Sequence, residues 1–360
     1  MIRTGDFISN EDQKKIVNEI IDSGRLTEGK YVKKMERRME EYLGVKHAIT
    51  VTNGTVALEL VARYLNYIHK IRLHALIPAM TFSATLNAFY LNNYYCVLCD
   101  VNEDLQINTN TINDKDKEII NVVVPVHLMG YPANMDEIMK LKKKHNWIVV
   151  EDAAEAFGAE YKGKKVGTIG DFGCFSFYIS HNMGAGELGL VVTNDDKAAE
   201  IMRSMKNHGR TGNSMKFLHN YPGTNFKTTE FMAGICYSNM KNVDETIKMR
   251  REHAKYIYDN TKNPKLNPYP IVESFSPLGY AIKADTEEYR DYICKKLNDA
   301  GIETRHMFPN LVNQIAFKSK AKFPVADDIE KRVFYVGCHQ FMSEEDLNKI
   351  VGVLNDILPK

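Results

Sequence analysis

Short apolar, β-branched runs alternate with amphipathic stretches from residue 48 to residue 193, and that alternation leaves few folds open. Residues 48–52, 75–77, 95–99, 119–124, 147–150, 174–178 and 190–193 each read as a strand. Between the first two, Ala57, Leu58, Val61, Tyr64, Leu65 and Ile68 recur at the spacing of a helix with one apolar face; Ile138 and Leu141 repeat this more weakly. Strands joined through helices can pair in parallel, with the helices covering both faces of the sheet. The expectation is an α/β chain with one mainly parallel, doubly covered sheet across residues 45 to 205.

After Ala233 the texture changes. Residues 240–258 read as one long charged helix with Arg250 and Arg251 on its polar side. Asn263-Pro264 and Asn267-Pro268-Tyr269-Pro270 mark turns. A strand at 279–282, a helix at 288–300 stopped by Gly301, and a last helix at 344–358 complete the chain. Ser343 and Asp346 are suited to cap that helix. These elements predict a smaller C-terminal α+β domain, dividing the chain into a large domain at 1–235 and a small one at 236–360.

At 360 residues the chain can bury a full core. Its 47 basic and 46 acidic side chains leave a net charge of +1, which argues against nucleic acid or an anionic membrane as the main partner. No basic segment followed by an apolar stretch opens the sequence, and no apolar run approaches ~18 residues, the length of a membrane span. The expected location is the cytoplasm. The six cysteines do not form a disulfide framework. Cys96 and Cys99 lie in one predicted strand, on opposite faces, so no metal site is expected there.

Four features fall at the ends of predicted strands, where open α/β sheets bind ligands. The first strand runs through Asn53-Gly54-Thr55 straight into a helix. A glycine there lets backbone N–H groups approach an anion, favoured also by the helix dipole; the alternative is a turn that binds nothing. Residues 147–150 end in Glu151-Asp152-Ala153-Ala154. Here Asp152 is suited to hold a protonated ring nitrogen, or equally to cap a helix. Phe175-Ser176-Phe177 carries a serine suited to phosphate and leads to His181. Gly184-Ala185-Gly186-Glu187-Leu188-Gly189 matches a dinucleotide fingerprint but opens a strand instead of a helix, so that reading is rejected. Asn225-Phe226-Lys227 says little alone.

Taken in order, seven segments resemble the DegT/StrS family of pyridoxal phosphate (PLP)-dependent nucleotide-sugar aminotransferases. They are Thr52-Asn53-Gly54-Thr55-Val56-Ala57-Leu58, Pro78-Ala79-Met80-Thr81-Phe82-Ser83-Ala84-Thr85, Pro125-Val126-His127-Leu128-Met129-Gly130, Glu151-Asp152-Ala153-Ala154-Glu155-Ala156-Phe157-Gly158, Gly170-Asp171-Phe172, Phe175-Ser176-Phe177 and Gly223-Thr224-Asn225-Phe226. The resemblance implies the fold-type I aminotransferase architecture and a homodimer with shared active sites. It implies cofactor phosphate against Gly54, Thr55 and Ser176, with Asn225 reaching in from the partner subunit. Asp152 would meet the pyridine nitrogen and Phe82 would stack on the ring.

Three positions depart from the family pattern. Lys227 stands where arginine is usual, and Glu155 where glutamine is common, beside the cofactor's phenolic oxygen. The third decides the functional reading. With the spacing kept and no gap, His181 occupies the place of the lysine that bonds covalently to the cofactor. Imidazole cannot form that bond, yet it exchanges protons near neutral pH. This is similar to the family's dehydratase branch.

The implied function is a PLP/PMP-dependent 3-dehydratase. With pyridoxamine phosphate (PMP) bound, His181 moves a proton, the carbon-3 hydroxyl of a nucleotide-linked 4-keto-6-deoxyhexose leaves, and glutamate restores PMP. An iron–sulfur variant of this chemistry needs clustered cysteines, whereas Cys236 is followed by Tyr237 and Ser238, so an iron-free enzyme is expected. Two rivals remain: an aminotransferase using another lysine, with Lys206 as the candidate, and a cofactor-binding protein without catalysis. His127, His306 and His339 are read as structural or surface residues.

Overall fold

The computed structural model describes residues 1–211 and 218–356. Its main sheet has seven strands: β1 (His47–Val51), β2 (His74–Pro78), β3 (Tyr95–Cys99), β4 (Val122–Val123), β5 (Ile148–Asp152), β8 (Phe172–Ser176) and β9 (Gly189–Thr193). The short strands β6 (Glu160–Tyr161) and β7 (Lys164–Lys165) form a separate hairpin. The order across the main sheet is β1-β9-β8-β5-β4-β2-β3. Only β9 runs against its neighbours; every other pairing is parallel. The expected mainly parallel sheet is therefore present.

Helices α1 (Glu11–Ser23), α2 (Lys30–Leu43), α3 (Gly54–His69), α4 (Ser83–Tyr90), α5 (Asp114–Ile119), α6 (Met135–His145), α7 (Asp196–Met205) and α8 (Glu230–Asn239) lie around it. Strand alternation explains why both faces are covered. Ile49, Val51 and Val191 join a core with α3 and α7, while Ala48, Leu190 and Val192 face a second core with α1, α2 and α8. Side chains on both faces of each strand are thus removed from water, the pattern expected of buried parallel strands.

Helix α9 (Val243–Asn260) leads into a four-stranded antiparallel sheet of β10 (Leu266–Pro268), β11 (Tyr280–Ala284), β12 (Thr304–His306) and β13 (Val333–Val336), in the order β10-β11-β13-β12. Helices α10 (Glu287–Asp299), α11 (Pro324–Arg332) and α12 (Glu344–Leu354) pack on it. Their core is continuous with Ala79, Met80, Leu128 and Met129, just beyond the carboxyl ends of β2 and β4. The Leu311 N–H also donates to Ala79 O at 2.8 Å. The second sheet is thereby seated against the edge of the first where its strands end.

Three expectations change. The strand at 119–124 shrinks to Val122–Val123, because Asn113 caps α5 by accepting from the Asp116 N–H and carries that helix through Ile119. The long helix begins only at Val243, after a single 3₁₀ turn at Met240–Asn242, and Arg250 is fully buried in place of lying on a polar face. The final helix keeps its Ser343–Asp346 capping box but ends at Leu354; Leu358 lies outside the described residues. No helix among the described residues is long and apolar enough to cross a membrane.

Candidate active site

The turn after β1 has the geometry that an anion seat requires. Asn53 accepts from the Val56 N–H at 3.0 Å and so caps α3, which starts at Gly54. The N–H groups of the first helical turn have no partner inside the helix. Ser176, the last residue of β8, sits directly against Gly54: a β-carbon added at Gly54 would lie 2.7 Å from Ser176 Cβ. Ser176 Oγ accepts from the Tyr178 N–H at 3.3 Å, which leaves its own proton for an outside oxygen. Thr55 is exposed beside them. Gly54→Ala must push Ser176 aside. We expect it to lower unfolding free energy by about 1–3 kcal/mol and to weaken PLP binding at least as much as it weakens the fold, measured by denaturant unfolding and cofactor titration.

Asp152 closes β5 and is followed by turns, so it caps no helix. Its Oδ2 accepts from the Thr85 hydroxyl at 2.7 Å, and Thr85 is 2.8 Å from the Thr81 hydroxyl one helical turn earlier. Oδ1 accepts from the Ala154 N–H at 3.1 Å. Among the described residues no lysine or arginine pairs with this buried carboxyl, and burial pushes its pKa up. A buried carboxylate without a cation is costly, and a cationic N–H brought to it would offset that cost. Phe82 directly precedes α4, which carries Thr85; its ring is 58% exposed and 5.6 Å from Phe308. A planar ring placed over the carboxyl end of the sheet would find an aromatic face there.

Glu155 lies one turn beyond Asp152. Its Oε2 accepts from the Met129 N–H at 2.8 Å. Met129 (φ 56°) and Gly130 (φ 87°) both hold left-handed backbone conformations, and a side chain at Gly130 would strike Ser276 O at 2.0 Å. Burial, with the nearby Asp152 carboxyl adding to it, pushes Glu155 up to about 7.

His181 follows β8 in a tight turn, its N–H donating to Tyr178 O at 2.8 Å. Its Nδ1 is 3.1 Å from Ser176 O. A carbonyl only accepts, so Nδ1 carries the proton and Nε2 presents a lone pair. Burial, with the Arg250 guanidinium adding to it, lowers the imidazole to about 4. The ring is an uncharged base at neutral pH.

Not every singled-out residue joins this group. Asn225 is exposed, and its side chain accepts from the Lys227 N–H at 3.4 Å; neither bonds to Gly54, Thr55 or Ser176 of the same chain. Lys227 Nζ donates to Asn207 Oδ1 at 3.0 Å. Lys206 is buried, donating to Thr50 O at 2.9 Å and lying 2.7 Å from Glu28 and 3.5 Å from Glu36. Its amine is committed to that network. His127 accepts from the Ala133 N–H through Nδ1 and donates through Nε2 to Glu151 at 3.0 Å, so both nitrogens are occupied. Glu151 also accepts from the N–H groups of Gly167 and Ile169. His339 is buried, and His306 is exposed on β12.

Thr85, which bonds to Asp152, was not among the candidate residues. The Thr81/Thr85 spacing of one helical turn was a usable signal for it.

A family profile described as the DegT/DnrJ/EryC1/StrS aminotransferase family matches residues 8–355. The chain belongs to that family. It is 31% identical over 349 residues to a GDP-perosamine synthase of Escherichia coli O157:H7, covering 96% of this chain and 95% of the relative. It is 27% identical over 376 residues to the GDP-4-keto-6-deoxy-D-mannose 3-dehydratase of Escherichia coli O55:H7, covering 94% and 96%. The solved structure of an E. coli GDP-4-keto-6-deoxy-D-mannose-3-dehydratase with bound hydrated PLP shares its fold, with a TM-score of 0.90 at 24% identity and 98% and 99% coverage. The architecture is that of fold-type I aminotransferases. The cofactor is PLP, with PMP part of its cycle, and the chain is an enzyme of the PLP-dependent sugar aminotransferase superfamily.

Proposed function

We propose that this enzyme is a PMP-dependent 3-dehydratase acting on a nucleotide-linked 4-keto-6-deoxyhexose. The observation that carries the reading is His181: an imidazole in the sequence place of the family's covalent lysine, with Nδ1 tied to the Ser176 carbonyl and Nε2 left as a free base. Overall, the carbon-3 hydroxyl leaves as water and that carbon gains hydrogen. The two electrons come from glutamate, which departs as 2-oxoglutarate and ammonia.

PMP, when bound, supplies the amine that engages the 4-keto group and an electron sink. The remaining work falls to the chain. Gly54, Thr55 and Ser176 hold the phosphate, and Asp152 keeps a positive ring nitrogen paired. Phe82 covers one face. His181 takes a proton at Nε2 and returns it, both in expelling the hydroxyl and in the glutamate half-reaction. Glu155 stands by the cofactor's phenolic oxygen with a carboxyl that titrates near neutrality.

The enzyme works as a homodimer, with Asn225 of each chain serving the other's site. Asn225 is exposed in the single chain, and apolar Tyr90, Leu91 and Ile315 are exposed as well, with Tyr90 6.5 Å from Phe317. A dimer interface would take such side chains out of water. The aminotransferase alternative needs a free lysine at the site, and the candidate lysine, Lys206, is held by Glu28, Glu36 and Thr50.

The test is a panel of GDP-, CDP-, UDP- and dTDP-linked 4-keto-6-deoxyhexoses given to PMP-loaded enzyme with glutamate present. One of them should release ammonia and a 3-deoxy product. Borohydride treatment of PLP-loaded enzyme should leave no cofactor attached. An amino sugar formed without ammonia, or a lysine labelled by borohydride, sinks the proposal.

A further inference from the structure

Arg250 sits in α9 with 0% of its surface exposed. Its Nε donates to Gln340 Oε1 at 2.9 Å. Nη1 reaches Asn182 Oδ1 at 3.0 Å, Pro277 O at 3.2 Å and Leu278 O at 3.1 Å. Nη2 lies 3.5 Å from both Ser180 O and His181 O. Every one of these acceptors is a carbonyl or side-chain amide oxygen. No carboxylate pairs with the guanidinium among the described residues. A buried cation left without a counterion is expensive, and here only neutral oxygens offset that cost. The guanidinium ties the Pro277–Leu278 segment to Asn182, and at 3.5 Å it also reaches the peptide units on either side of the His181 α-carbon.

We propose that Arg250 is a positioning residue for His181: it clamps the backbone that carries the imidazole, and its uncompensated charge opposes a second positive charge on the ring. This deepens the dehydratase reading, which needs His181 as a free base, and rests on it for its catalytic meaning.

The geometry gives the charge few competitors. Behind His181 is a cavity of about 270 Å³, walled by the N-terminal segment from Asp6 to Asn10, by Ser238, Asn239 and Asn242, and by Gln340. Asp6 is the one ionisable side chain besides His181 on that wall. Tyr178, on the same segment as His181, stands with its ring 5.8 Å from the imidazole. On the far side, Cys338 and His339 approach Arg250. The carboxyl of Asp6 would favour a charged imidazole, and the Arg250 charge acts the other way. Burial is the larger reason the imidazole is lowered to about 4, with the Arg250 charge adding to it.

The test follows the ring itself. Histidine-labelled full-length chain, with and without PLP, is titrated by NMR, and the His181 signal is assigned from its loss in His181→Gln. Arg250→Gln removes the charge but keeps polar contacts, and Gln340→Glu leaves Arg250 in place while giving it a carboxylate. Both should raise the His181 midpoint by roughly half a unit, with burial still holding it below the ordinary histidine value. Arg250→Lys keeps the charge and should leave the midpoint low while slowing turnover, since its single ammonium cannot span the same oxygens. Midpoints unmoved in both Arg250→Gln and Gln340→Glu overturn the proposal, as does a rise in Arg250→Lys equal to that in Arg250→Gln. Should Arg250→Gln fail to fold, Arg250→Met takes its place, since it too removes the charge. Because the titration needs no turnover, a wild type that releases no ammonia would fail the dehydratase reading alone.

Discussion

Replacing His181 with glutamine should leave PLP bound and lower ammonia release by about 10²–10⁴-fold, the range a positioned proton-transfer group contributes. Glutamine keeps a polar end of similar reach, so the Ser176 carbonyl can still receive an N–H, but nothing at the other end accepts a proton at neutral pH. His181→Lys separates the two meanings of this position. An amine there can again bond to the cofactor, so borohydride should now trap PLP on the protein while deoxygenation disappears. The pH dependence carries the same signature. Burial lowers the imidazole to about 4, so it is protonated only in acid. The activity limb that belongs to it should therefore appear as pH falls toward about 4, and be missing from whatever activity His181→Gln retains. A separate change near neutrality belongs to Glu155, which titrates at about 7, and should vanish in Glu155→Gln. Turnover in His181→Gln within threefold of wild type would remove the imidazole from the mechanism.

The sheet was legible because strand and helix periodicities differ and both repeat many times. Residues 95–99 coincide with the observed strand, and β1, β2, β5, β8 and β9 fall within two residues of expectation. The failures have local causes. The strand at 119–124 lost its first half to a helix nucleated by a single side-chain cap at Asn113, which apolar patterning does not register. Arg250 was misread because a charged residue in a helix is normally solvated. Only the seam between the two sheets, formed by residues distant in sequence, supplies the carbonyls that hold it. Of the candidate site, Gly54, Asp152, Ser176 and His181 could be picked out because each lies at or just past the carboxyl end of a strand. The direction of the His181 proton could not, since it depends on a carbonyl five residues back being turned toward Nδ1. The network that ties up Lys206 was equally invisible, because Glu28 and Glu36 lie far from it in sequence.

Asp152→Asn should weaken PLP binding about 10²–10³-fold, which corresponds to the ~3–5 kcal/mol lost when one partner of a buried ion pair is removed. The substitution is nearly isosteric. An amide oxygen can still accept from the Ala154 N–H or the Thr85 hydroxyl, so the fold should survive with little change in thermal midpoint. What goes is the negative charge. In the free chain that charge is disfavoured, with burial raising the carboxyl. A cationic ring nitrogen reverses the preference, and binding and ionisation then support each other. PLP affinity in the wild type should accordingly fall as pH drops and Asp152 gains a proton, whereas in Asp152→Asn it should lose this dependence. Thr85→Val provides the graded comparison. It leaves the carboxylate and deletes one hydrogen bond at 2.7 Å, worth about 1–1.5 kcal/mol, so its affinity should fall by roughly tenfold. Absorbance titrations of the three proteins measure both effects, and an Asp152→Asn protein that binds PLP as tightly as Thr85→Val would show that the carboxylate does not face the ring nitrogen.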